Sequence, residues 1–201
     1  MGRRRQRKMT LDLVPVKDWP MTAEIESRGR PELPKYWERD YINQHIDEVK
    51  NISHKVFFQT LWLTGMRTSE AAGKTGFRKA DFNQEHYTLK IRWLKKGKYA
   101  YRIIPLHPTL RDILAVYTSP YKAEDVIFPF TRQRAYQLTR KYFQGNPHMF
   151  RHSFAVNWIR GGGRTSDLSQ YLGHSDIRTT MIYEKLVSID LGKELIKIPF
   201  R

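Results

Sequence analysis

Asn146-Pro147-His148-Met149-Phe150-Arg151-His152, followed by Tyr171-Leu172-Gly173-His174-Ser175 and then by Tyr183, nine residues past His174, decides how this chain is read. Asn146 is a good cap and Pro147 suits a first helical position, so the spacing predicts a helix that starts here and runs to about Ile159. Gly161-Gly162-Gly163 ends it. His148 and Arg151 then stand three apart on the first turn, on one face. The helix start adds unpaired N–H groups and the positive end of its dipole to an imidazole and a guanidinium, which makes a seat for phosphate. A lone His-x-x-Arg is common and by itself carries no function.

Outward from this segment the periodicity is mostly helical. Trp37, Tyr41, Ile42 and Ile46 mark a weak helix within Tyr36 to Lys50. Val56, Phe57, Thr60, Leu61 and Leu63 mark a stronger one near His54 to Leu63, stopped by Thr64-Gly65. Thr68 or Ser69 can cap a short helix containing Glu70. The period then changes to two. Leu89, Ile91 and Trp93 alternate with Lys90, Arg92 and Leu94; Lys95-Lys96-Gly97-Lys98 supplies a turn; Tyr99, Tyr101 and Ile103 alternate with Ala100, Arg102 and Ile104. This is a β-hairpin pattern. Helices return around Pro108 to Tyr117 and from Thr131 to Phe143. A short one spans Ser166 to Leu172 and ends at Gly173, and a last one, capped by Ser175, runs through Tyr183 and Leu186. The fold class is therefore mainly α with a small antiparallel β-sheet (α+β). Residues 1–30 read as a basic arm around Arg3, Arg4, Arg5, Arg7 and Lys8. Residues 31–201 read as one domain with a C-terminal tail at 186–201. Trp62, Trp93, Trp158, Phe57 and Phe154 fall at core positions of this plan.

The chain has 201 residues, with 36 Lys+Arg against 20 Asp+Glu, a net charge of +16, on a body that is 40% hydrophobic. That is a folded protein with a polyanion partner, not a disordered basic tail. No cysteine is present, which removes disulfides, thiolate-held metals and a thiol nucleophile. Without a long apolar run or a signal peptide the expected location is the cytoplasm. Charge is also placed unevenly. No acidic residue lies between Asp125 and Asp167, whereas Arg132, Arg134, Arg140, Lys141, Arg151, Arg160 and Arg164 all do. Of these, Arg132, Arg134, Arg140 and Lys141, with Lys95 and Lys98 of the hairpin, are candidates for phosphate contact along double-stranded DNA. The absence of carboxylates around His148 and Arg151 argues against a Mg²⁺ nuclease, and no metal site is expected.

The chain resembles the tyrosine recombinase, or phage integrase, family over about residues 31–185. The resemblance rests on His148-Met149-Phe150-Arg151-His152, on the Leu172-Gly173-His174 box, and on Tyr183. It also rests on Thr64-Gly65-Met66-Arg67-Thr68-Ser69-Glu70 and on the hairpin ending Arg102-Ile103-Ile104-Pro105-Leu106. The resemblance implies the family's catalytic-domain fold, and a reaction in which Tyr183 attacks a DNA phosphorus, forms a 3′-phosphotyrosyl link and releases a 5′-hydroxyl. A phenol is only about 0.1% ionised at neutral pH, so it needs a base and a positive field. Arg67 and Arg151 would clamp the non-bridging oxygens, His148 would move the proton at the nucleophile, and His174 would hydrogen-bond the phosphate. A turn lysine, Lys96 first and Lys98 second, would protonate the departing oxygen. Glu70 fits orientation of Arg67, and His152 fits a packed support.

No cofactor is implied, since the protein–DNA bond stores the phosphodiester energy. A homo-oligomer, a tetramer on two DNA sites, is the expected assembly, and the tail would dock on its own domain or on a neighbour. Family members commonly carry a separate DNA-binding domain ahead of the catalytic one, and about 30 residues leave no room for it, so the chain reads as a minimal enzyme or a fragment. Two rival readings are a type IB topoisomerase-like relaxing enzyme and a non-catalytic DNA-binding module derived from an integrase.

Overall fold

α2 (Ile52–Thr64) is apolar on nearly all sides, and the rest of the domain forms around it. Its Val56, Phe57, Phe58, Leu61 and Trp62 are buried, and it packs against α1 (Arg39–Glu48), α4 (Pro108–Tyr117) and α6 (His148–Arg160). The structure, a computed structural model, describes residues 34–95, 98–174 and 176–187. The basic arm at 1–30, the turn pair Lys96-Gly97, Ser175 and the tail from residue 188 onward lie outside the described residues. The side chains of Lys95 and Lys98 do so too.

Along the chain, α2 is followed by α3 (Thr68–Ala71), a three-stranded sheet, α4, α5 (Arg132–Phe143), α6, α7 (Thr165–Leu172) and α8 (Arg178–Met181). The sheet has β1 (Phe82–Asn83), β2 (Thr88–Lys95) and β3 (Lys98–Pro105) in that order, both neighbours antiparallel. The α+β class is as the sequence implies. Two residues, too short a run to show a period, make β1, so the sequence gives no sign of it. β2 and β3 pair as far as Lys95 opposite Lys98.

In β3 the inward set is Ala100, Arg102 and Ile104, since Ile104 is 2% exposed while Tyr101 and Ile103 are exposed. A guanidinium thus points to the interior beside Ile91, its cross-strand partner.

Phe58, Phe143 and Phe150 meet edge-on or stacked, with Phe143 at 4.8 Å from each of the other two ring centroids, and so tie α2, α5 and α6 together. Phe150 lies between His148 and Arg151 in sequence, so the same contact that builds the core aims those two away from it.

Caps follow the sequence in most places. Asn51, Thr131 and His107 accept from the first turns of α2, α5 and α4, and the Asn146 side chain accepts from His148 N at 3.0 Å. α3 differs. Thr68 is its first helical residue, not its cap, and the Glu70 carboxylate folds back to accept from Arg67 N at 2.7 Å.

The expected last helix is also broken. α8 ends at Met181, Tyr183 lies in a turn, and Glu184–Leu186 form a 3₁₀ turn. β-Branched Thr179, Thr180 and Ile182 weaken the helix here, and the Thr180 hydroxyl bonds His174 instead of solvent.

Candidate active site

Two helix C-termini and one helix N-terminus meet at Arg151. α2 ends at Gly65 and α7 at Gly173, both with left-handed φ, +59° and +68°. At Gly65 no larger residue fits, because a Cβ would stand 2.6 Å from Phe154 Cδ1. Arg151, on the first turn of α6 and 4% exposed, donates from Nη1 to Gly65 O and from Nη2 to Leu172 O, each at 2.9 Å. Helix-end carbonyls have no partner within their helices and carry the negative end of the dipole, so they are natural acceptors for a buried cation. Burial and the nearby Arg67 lower the Arg151 pKa to about 10, which still leaves it charged at neutral pH.

Arg67 stands beside it at the start of α3. Its side chain is 39% exposed and donates to Glu70 Oε1 at 3.2 Å. Glu70 is 1% exposed and also receives Arg102 on both oxygens, at 2.9 and 3.0 Å. Burial pushes this carboxyl up, but the Arg102 hydrogen bonds and charge, the Arg67 backbone N–H and Arg151 outweigh that and hold it below the ordinary range. Three guanidiniums thus face one carboxylate.

Around this cationic floor stand three imidazoles and a phenol. His174 Nδ1 is 2.6 Å from Thr180 Oγ1, which fixes the ring. Burial first, and then Arg151, Arg67 and Arg102, drive its pKa to about 4. Burial, with Arg132, Arg151 and Arg67, lowers His148. Burial, His148 and Arg151 bring His152 to about 4.

Tyr183 is 3% exposed within a small cluster formed by Ala155, Val156, Leu168 and Leu172, and its hydroxyl lies 2.9 Å from His152 Nδ1. Burial raises the phenol, while Arg151 and Arg67 pull it down. The 3₁₀ turn after it is pinned where the Thr165 hydroxyl at the start of α7 donates to Glu184.

Arg67, His148, Arg151, His174 and Tyr183 are therefore brought into one electrostatic group. Lys96 lies outside the described residues. The hydrogen-bond partner of the Tyr183 hydroxyl is His152, which the sequence reads as a support. The remaining basic candidates divide. Arg132 acts on His148, whereas Arg134 and Lys141 act on His54 on the other flank of α5, and Arg140 lines a shallow pocket with Tyr136 and Asn146. At 100° per residue Arg132 and Arg134 are 200° apart, a separation the sequence already contained. Among the described residues no cluster of three or more His, Asp or Glu could hold a metal ion, and no helix is long and apolar enough to cross a membrane.

The sequence profile of the phage integrase family matches residues 36–188. This chain belongs to the phage integrase family. Among curated members, the tyrosine recombinase XerA of Saccharolobus solfataricus is 28% identical over 180 residues, covering 84% of this chain and 60% of that protein. XerA of Pyrococcus horikoshii is 27% identical, covering 88% and 67%. The chain thus spans roughly 60–67% of the length of these integrase-family relatives. Among solved structures, the XerA recombinase superposes with a TM-score of 0.66 at 21% identity, over 85% of this chain and 65% of that one. The catalytic domain of bacteriophage HP1 integrase gives 0.63 at 22% identity, over 82% and 95%. Both carry the same mainly helical fold with a small antiparallel sheet.

The imidazoles of this integrase-family site make stability pH-dependent in a definite direction. His152 and His174 titrate near 4 when folded and near 6.5 when unfolded, so between those values the unfolded chain binds more protons. Stability therefore falls as pH drops from 6.5 to 4, and Glu70, with its lowered pKa, adds a loss of the same sign at the acid end. The urea midpoint is expected to be lower at pH 5 than at pH 7.5. A His152→Gln chain, which takes up no proton there, should lose less between the two.

Proposed function

We propose that the chain cuts and rejoins double-stranded DNA through a covalent 3′-phosphotyrosyl intermediate on Tyr183, as a recombinase or integrase. The observation that carries this reading is a tyrosine hydroxyl held by an imidazole within the field of two guanidiniums, Arg151 and Arg67, at a helix N-terminus. A phosphodiester anion seated on Arg151 and Arg67 would present its phosphorus to the phenol. The Tyr183 Oη–P bond forms as the P–O5′ bond breaks, the phenol proton passes to a base, and the leaving 5′-oxygen takes up a proton. Rejoining reverses each transfer, so neither an energy source nor a metal ion is needed.

His152 is the nearest base to the hydroxyl. It is neutral at pH 7 and can accept the proton, while the two arginines favour the phenolate that remains. His148 and His174 flank the anion as hydrogen-bond partners, and a hairpin lysine, Lys96 or Lys98, supplies the proton to the 5′-oxygen. Arg132 and Arg140 continue the phosphate track on one flank of α5. Since Tyr183 is 3% exposed, its segment shifts outward when DNA binds. The short elements on either side of it, α8 and the 3₁₀ turn, make that shift cheap. Exchange between two duplexes breaks four strands, each linked to its own tyrosine, which requires four copies.

The test is a library of randomised duplexes with a nick in the cleavable strand a few nucleotides 3′ of the scissile phosphate, so that the short fragment bearing the released 5′-hydroxyl diffuses away and the linkage is trapped. In EDTA, a complex that survives denaturant is the expected result. No such complex on any sequence would leave only a DNA-binding module.

A further inference from the structure

The reaction outlined above gives Arg102 nothing to do, yet its side chain is 10% exposed and is wedged between three parts of the site. It reaches Glu70 with both terminal nitrogens, lies 5.3 Å from the centre of the Trp93 ring, and its tip fills the space that a Cβ at Gly173 would enter, 3.1 Å from Nη1. Glu70 is the carboxylate that holds Arg67 by backbone and side chain, and Gly173 precedes His174. One strand residue thus bears on the arginine at the start of α3 and on the histidine after α7.

We propose that Arg102 is a positioning residue for the phosphate clamp, acting through Glu70 on Arg67 and, by filling the space beside Gly173, on His174. This rests on the phosphoryl-transfer reading. Glu70 can accept from two guanidiniums only while they share it. With Arg102 present, its oxygens are largely occupied, and Arg67 is held by one terminal nitrogen, leaving its other N–H groups for phosphate. Without Arg102, the carboxylate either takes the whole Arg67 fork, withdrawing those N–H groups, or becomes protonated and lets Arg67 go. Either change misplaces the clamp. Lysine in place of Arg102 keeps the charge but cannot bridge both oxygens.

The experiment compares the full chain with Arg102→Met and Arg102→Lys on two duplexes of the trapped sequence. One has an ordinary phosphodiester at the scissile step, the other a methylphosphonate, which lacks the charge that the clamp neutralises. On the phosphodiester, Arg102→Met is expected to form the covalent complex about 10–100-fold more slowly, the range for residues that orient a reacting group through a neighbour. On the methylphosphonate the deficit should shrink to within about 3-fold, because less charge needs stabilising. Arg102→Lys should fall between, and duplex affinity should stay nearly constant, since the side chain is enclosed.

An equal slowing on both duplexes would overturn the positioning role and leave Arg102 as a fold support. Failure of the unaltered chain to form any complex would instead remove the reading beneath it, and the proposal too. If Arg102→Met does not fold, Glu70→Gln with Arg102→Met removes the buried carboxylate that the single change leaves without Arg102, and carries the same comparison between duplexes.

Discussion

A Tyr183→Phe chain is expected to bind duplex as the unaltered chain does and to form no covalent complex at all. The change removes one oxygen, the atom through which the phosphodiester would be transferred. The chain has 11 tyrosines, and at Tyr183 the charges of Arg151 and Arg67 favour the phenolate against the burial that raises its pKa. Tyr171, a half-buried tyrosine near α6, donates its hydroxyl to Pro105 O, and desolvation raises its pKa well above the ordinary phenol range. Folding should survive. The ring keeps its packing against Val156, Leu168 and Leu172, and the lost hydrogen bond to His152 is worth about 1 kcal/mol. The measurement is the yield of denaturant-stable complex on the nicked duplex, alongside a binding titration. Complex formation by the phenylalanine chain would move the nucleophile to another residue.

How much of this site was legible in advance depended on the range over which each residue acts. His148 and Arg151 could be read because a cap, a proline and a three-residue spacing define a helix start locally. Gly65 and Gly173 could be read because each ends a periodic run. What the sequence did not disclose was that these two glycines, far apart in the chain, bring their helix ends to the same guanidinium. The Glu70–Arg102 pair was hidden for a similar reason. In a strand pattern an arginine suggests the wet face, whereas Arg102 shares its parity with buried Ile104. That parity was the available signal, and only a buried carboxylate on another element made sense of it. In sequence His152 reads as a support because it neighbours the stronger candidate Arg151. The rotation of about 100° between adjacent helical residues aims it at Tyr183 instead.

Arg151→Lys isolates geometry from charge and should be damaging on both counts that the structure gives Arg151. The guanidinium holds Gly65 O and Leu172 O at once, from two nitrogens on one rigid plane. An ammonium on a flexible stem can satisfy one of them. The other carbonyl, at a buried helix end, is then left unpaired, which costs about 1–3 kcal/mol and should lower the urea midpoint accordingly. Cleavage suffers more than folding does. The five-coordinate phosphorus develops charge on two non-bridging oxygens, and a fork can follow both, whereas a point charge follows one. A fall of about 10²–10³-fold in the rate of covalent complex formation is expected, the size seen when one oxyanion donor is lost.

A second signature separates this from general damage. The guanidinium, lowered to about 10, stays charged across the working range, while a lysine begins near 10.4 and is pushed down by the same burial and the same Arg67. Relative to the unaltered chain, the residual rate of Arg151→Lys should therefore fall as pH rises from 7 to 9. A ratio that stays flat over that interval would mean that Arg151 supports the helix ends but does not carry the charge that meets the phosphate.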